Sequence, residues 1–95
     1  MLHTLAHSPY HTDLKALLRN IGEGDVILLL QDGVIAALSG TSVNERILTS
    51  GVPVYALQED VAARGLSGQI STTVVLIDYT QFVQLTALHS RQLAW

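Results

Sequence analysis

The chain has 95 residues, a formal net charge of −3 and no cysteine. That length supports one modest core and not two, and the missing cysteine excludes a disulfide, a thiolate nucleophile and a cysteine zinc site. Hydrophobic residues make up 48% and charged residues only 14%, an apolar balance for so small a domain, which implies that some apolar surface faces a partner.

The basic residues Lys15, Arg19, Arg46, Arg64 and Arg91 are scattered along the chain. Binding to a phosphate backbone needs several cations on one face, so no direct nucleic-acid contact is expected. No apolar run reaches the roughly 18 residues that span a bilayer. The opening MLHTLAHSP lacks the basic start and long apolar stretch of a signal peptide. A cytoplasmic location is expected.

In chain order, residues 2–6 read as a first strand. Leu14, Leu17, Leu18 and Ile21 recur at amphipathic-helix spacing, with Ser8 or Thr12 as cap, Pro9 suited to a first turn and Gly22 as the stop. Residues 25–30 form a strand apolar on both faces, as in a sheet covered on both sides. Gln31-Asp32-Gly33 breaks it off as a loop. The apolar run 34–38 after it is open between strand and helix, which periodicity does not separate.

Ser42 and Glu45 have capping-box spacing ahead of a helix over residues 43–49, closed by Gly51 and Pro53. A strand over 52–57 leads into a short helix over 59–64, acidic at its start and basic at its end as the macrodipole prefers, with Gly65 as the stop. A polar connection over 67–71 leads to a strand over 73–77. Asp78 then caps a last helix that carries Tyr79, Phe82, Val83, Leu85 and Leu88 inward, and a tail ends in Leu93-Ala94-Trp95. Strands and helices alternate throughout, which predicts an α/β fold: a single three-layer α/β/α domain over residues 1–95 with a mostly parallel sheet.

Ligands of an open α/β sheet bind at the carboxyl ends of its strands, so residues 7–12, 31–33, 58–60 and 78–80 are the places to test for chemistry. Gly22-Glu23-Gly24 ends a helix and precedes a strand, the reverse of a dinucleotide fingerprint, and reads as turn glycines. A flavin loop would find only Ser8, Thr12 and Tyr10, with Pro9 removing a backbone donor. A phosphate receiver would need clustered acids and a lysine near the first strand, and Lys15 lies in the first helix.

His3, His7 and His11 are four apart, which on a helix would suggest a metal. The strand character of residues 2–6 and the effect of Pro9 on Ser8 should make them diverge. Asp32 and Asp78 lack a nucleophile with an adjacent base and read as turn and capping residues. No catalytic residue, cofactor or metal is assigned.

Three blocks in order, GDVILLLQDGV at 24–34, VYALQEDVAARGL at 54–66 and TVVLIDYTQFVQLTALHSRQLAW at 73–95, together with the opening MLHTLAHSPYHTDLKALLRNIGEGD, resemble the TusB, or DsrH-type, branch of the DsrE/DsrF/DsrH sulfur-relay family. The resemblance covers nearly the whole chain and implies a DsrE/DsrF/DsrH-like (flavodoxin-like) fold. It also implies a subunit without sulfur-carrying chemistry in a cytoplasmic relay that delivers persulfide sulfur for 2-thiolation of tRNA wobble uridine. TusC-like and TusD-like subunits would be its partners in a dimer of heterotrimers. The TusD cysteine would take sulfur from TusA and pass it to TusE and the tRNA thiouridylase.

DsrH-type relatives of sulfur oxidisers can hold a cysteine of their own. Its absence here favours the TusB side, because only a thiolate carries and releases a sulfur atom at useful rates near neutral pH. Gln31, Asp32 and Gly33 are therefore expected to serve a subunit contact or to order the neighbouring strand ends. Tyr79, Phe82, Leu93 and Trp95 are expected at an interface, since aromatic residues make good interface anchors, the alternative being that Trp95 docks on its own domain. Two other classes remain open: a free-standing module binding a small acidic ligand through residues 8–12, and a homo-oligomeric scaffold.

Overall fold

The computed structural model describes all 95 residues. Its elements are β1 (Leu2–Leu5), a 3-10 turn (Pro9–His11), α1 (Leu14–Arg19), β2 (Val26–Leu29), a 3-10 helix (Gln31–Ala37), α2 (Ser42–Thr49), β3 (Val54–Leu57), α3 (Gln58–Ala63), β4 (Val75–Ile77), α4 (Tyr79–Leu88) and β5 (Gln92–Ala94). The strands form one parallel sheet in the order β4-β3-β2-β1-β5. The α/β fold and parallel sheet expected from the alternating pattern are present.

The order explains the layers. The chain steps outward from β1 to β4, so right-handed crossovers put α1, α2 and α3 on one face, and the long return to β5 puts α4 on the other. Leu5, Ile27, Leu29, Val54 and Ala56 point to the first face, where they pack with Leu14 and Leu17 of α1, Val43 and Ile47 of α2 and Val61 of α3. Leu2, Val26, Leu28 and Ile77 point the other way, toward Phe82 and Leu85 of α4. β2 is buried at every position, as its unbroken apolar run requires.

Several local expectations shift. Asp13, not Ser8 or Thr12, caps α1 by accepting the Ala16 N–H at 3.0 Å; Ser8 instead caps the 3-10 turn. α1 ends at Arg19 with Asn20 as its cap, so Gly22 is not its stop. Thr41, one residue before Ser42, caps α2 by accepting the Asn44 N–H. The fourth strand is confined to Val75–Ile77, and the tail contributes a fifth strand beside β1.

The last helix departs furthest from expectation. Asp78 caps it with a complete capping box, exchanging bonds with Gln81 at 2.8 and 2.9 Å. However, no α4 residue is buried. Phe82 and Leu85 pack on the sheet, whereas Tyr79, Val83 and Leu88 are exposed rather than turned inward, because apolar residues occur around most of this helix and one sheet face covers only one side.

Candidate functional site

The break after β2 is not a loop. Gln31-Asp32-Gly33 opens the 3-10 helix, and the undecided run beyond it continues that helix to Ala37. Gln31 takes φ +50°, the one positive φ outside glycine, and this turns the chain sharply off the strand. Gly33 is dictated by packing: a Cβ there would stand 1.9 Å from the Leu5 carbonyl oxygen. The 3-10 helix thus lies directly over the carboxyl end of β1, where any side chain would collide with backbone.

α3 fastens this corner with its acidic first turn. The Gln31 N–H donates to Asp60 Oδ2 at 2.6 Å, and the Tyr79 N–H at the start of α4 donates to Glu59 Oε2 at 3.0 Å. At the other end of α3, Arg64 Nε and Nη2 donate to Asp32 Oδ1 at 3.1 and 2.9 Å. Tyr79 also lies against Phe82, ring centroids 5.6 Å apart. Gln31, Asp32 and Tyr79 are therefore tied to α3 at the carboxyl ends of the strands, with Gly33 beside them, whereas Phe82 touches Tyr79 but packs on the other face of the sheet.

Asp32 is occupied by the Arg64 guanidinium and Asp78 by its capping box. In the turn after β1, Ser8 Oγ accepts the Tyr10 N–H and Thr12 Oγ1 donates to the Ser8 carbonyl. These hydroxyls serve their own backbone.

Leu93 and Trp95 lie elsewhere, on β5 and its end. Trp95 is docked on its own sheet: its N–H donates to the Thr4 carbonyl at 2.8 Å and its ring packs against the main core. The indole Nε1–H donates to His3 Nδ1 at 3.3 Å. His3 is fully buried, and its Nε2 lies 2.9 Å from Asp25 Oδ2. His7 reaches the Trp95 carbonyl at 3.1 Å, so His3 and His7 both contact Trp95, and His11 sits exposed in the 3-10 turn.

Asp25 ends this chain of bonds. It accepts from the Met1 ammonium at 2.9 Å and from the Gly22 N–H at 2.9 Å. The Met1 ammonium, then His3, then the Gly22 N–H hold its carboxyl well below the usual carboxylate range, with desolvation opposing them. Sequence reasoning overlooked Asp25; it singled out Glu59 and Asp60 and the acid-to-base run of α3 that ends in Arg64, but not their targets, which lie 20 to 32 residues away.

An open groove of about 450 Å³ runs along the opposite edge of the sheet, between the turns that precede β2 and β3. Gly22, Gly24 and Gly51 line it, and Asp25 in its wall is already paired.

A family model described as DsrH like protein matches residues 7–92. TusB of Pectobacterium carotovorum subsp. carotovorum (strain PC1) is 60% identical over 95 residues, and TusB of Escherichia coli K12 is 57% identical over 95, with the whole of each chain covered. The chain belongs to the TusB proteins of the DsrH-like family. Among solved structures, the ychN protein of Escherichia coli superposes with a TM-score of 0.77 at 18% identity, covering 99% of this chain and 97% of that one, a likeness of fold alone. Protein Tm0979 of Thermotoga maritima gives 0.68 at 32% identity, covering 96% and 97%. The cysteine-free sequence of this TusB-family chain sets a limit on what it can do with sulfur: it offers no thiolate to carry it.

Proposed function

We propose that the chain is a subunit without sulfur-carrying chemistry of a cytoplasmic sulfur-relay complex, assembled with TusC-like and TusD-like chains as a dimer of heterotrimers. In that setting it supports persulfide transfer from TusA through the TusD-like cysteine to TusE, and so the 2-thiolation of tRNA wobble uridine. The observation that carries this reading is full-length similarity to TusB, at 57 to 60% identity, in a chain with no cysteine. Such a chain contributes shape and contacts, and the sulfur atom stays on the partners' thiolates.

The exposed apolar set on α4 and β4 supports a subunit role. Val75, Leu76, Tyr79, Val83 and Leu88 all stand open, and Tyr79 starts α4 beside the corner that holds Gln31, Asp32 and Gly33. Interface cores are depleted of charge and enriched in aromatic residues. Tyr79 and Phe82 would anchor one contact. Leu93 and Trp95 belong to a second region, on β5, as a further candidate contact.

The test is co-expression with the TusC-like and TusD-like chains of the same source, read by size exclusion with mass detection. A stable mixed assembly is expected, and removing this chain should reduce 2-thiouridine in tRNA measured by mass spectrometry. A chain that ignores both partners, or thiolation that proceeds equally without it, would overturn the proposal.

A further inference from the structure

The His3–Trp95 contact joins residues 92 positions apart, and the subunit role does not use it. An indole N–H is a donor only, so the His3 Nδ1 that receives it must be an unprotonated acceptor. The ring's one proton then lies on Nε2, pointing at the Asp25 carboxylate 2.9 Å away. The pair of bonds as placed is made by the neutral Nε2–H tautomer of His3. Adding a second proton would set an Nδ1–H against the indole N–H, two donors facing each other inside a fully buried site.

What this contact holds is slight. β5 is a three-residue edge strand with every residue exposed, and its hold on the sheet is a few bonds to β1, among them the Leu2 N–H to the Arg91 carbonyl and the Trp95 N–H to the Thr4 carbonyl. The Trp95 ring is the only part of this strand and its end that packs into the core. If the ring leaves, little else retains the strand, and the edge of β1 is uncovered.

We propose that His3, Asp25 and Trp95 form a proton-released latch: neutral His3 holds Trp95 and β5 against β1, and protonation of His3 lets them go. The sign follows from the geometry. The docked form excludes a proton from Nδ1 and the undocked form accepts one, so acid favours release. The ionisable groups around the ring are few. Asp25 faces Nε2, with the Met1 ammonium behind it; His7 touches the Trp95 carbonyl from the turn after β1; Lys15 and Arg19 of α1 and Arg91 before β5 carry exposed charges. Asp25 stays ionised across the range in which histidines ordinarily titrate, and His3 and His7 are the histidines that touch Trp95.

Trp95 is the only tryptophan, so its fluorescence reports on the latch alone. The full chain would be titrated from about pH 8 to pH 5, following the emission maximum and acrylamide quenching of Trp95, with far-UV circular dichroism as the check on the rest of the fold. A red shift and a severalfold rise in quenching are expected on acidification, with helix content retained. His3→Asn places an uncharged oxygen near the Nδ1 position and should keep Trp95 docked at the acid end. His7→Asn should titrate like the wild type.

Ring nitrogen NMR shifts of His3 in the unaltered chain provide a second reading that does not depend on any variant folding. They should show bare Nδ1 and protonated Nε2 at the alkaline end, gaining the Nδ1 proton together with the fluorescence change. An emission that does not move, a transition lost in His7→Asn, one unchanged in a folded His3→Asn, or a doubly protonated His3 with Trp95 still docked would each overturn the latch.

Discussion

The face of the sheet under α1, α2 and α3 buries fourteen residues in one cluster, whereas the face under α4 buries four. The strands contribute five of the residues buried on the first face and four on the second, so the difference lies in the cover. Three helices and the 3-10 helix close the first face. One helix, crossing back from β4 to β5, covers the second and leaves its own Tyr79, Val83 and Leu88 in the open. In addition, Asp78 is the only acidic or basic residue between Arg64 and Arg91, apart from His89. Stability is concentrated on one face, and the other keeps uncharged surface available for contact.

Core substitutions on the closed face should break the comparison most strongly. Leu17→Ala, at a fully buried α1 position, should cost about 2 to 5 kcal/mol, measured by urea unfolding of the isolated chain. Gly33→Ala acts from the same side by overpacking. Its Cβ would meet the Leu5 carbonyl, so the 3-10 helix must lift off β1 at a cost of about 3 kcal/mol. A Gly33→Ala chain as stable as the wild type would mean that the 3-10 helix is not seated as described.

Asp25 sits at the rim of the sheet and gives a pH-dependent effect. Its carboxyl is held well below the usual range, chiefly by the Met1 ammonium and then by His3. A depressed folded pKa makes the unfolded chain bind the proton first as pH falls, so its stabilisation is fully present above the ordinary aspartate value and drains away below it. Asp25→Asn should therefore lower the unfolding midpoint at pH 7, and the gap to wild type should narrow once the pH falls below about 4. A gap constant with pH would dissociate the effect from charge.

How much of this was legible from sequence depended on the range of the interaction. Helix α1 could be read from Leu14, Leu17 and Leu18, and the buried run of β2 from its lack of alternation, because each is a local pattern. The 3-10 helix could not: the reason for Gly33 is a carbonyl 28 positions upstream, and Gln31 is held by Asp60 from another element. The tail was read as a terminal appendage because three residues carry no periodicity, whereas β1 supplies the pairing that makes them a strand. His3 looked like one of three spaced histidines. Its partners, Asp25 and Trp95, are adjacent only after the sheet has formed.

On the open face the expected effects are small in the isolated chain and larger in the assembly. Val83→Ser changes an exposed α4 position and should alter the stability of the isolated chain by no more than about 0.5 kcal/mol. The same variant should co-purify less well with TusC-like and TusD-like chains if α4 is a contact. Equal loss in both measurements would assign Val83 to folding, and no loss in either would move the contact away from α4.

The smallest effect should come from Asp32. Its carboxylate meets Arg64 at 2.9 Å, but the side chain is 63% exposed, and an exposed ion pair typically contributes from nothing to about 1 kcal/mol because water and salt screen it. Gly33 packing and the Asp60 bond to Gln31 hold the corner without it. Asp32→Ala should consequently leave the unfolding midpoint nearly unchanged, and any deficit it causes in assembly or tRNA thiolation would have to arise at a surface rather than in the fold. Comparing Asp32→Ala with Arg64→Ala sharpens this further: a contact made by Asp32 itself is lost only in the first, whereas a requirement for the ion pair is lost equally in both.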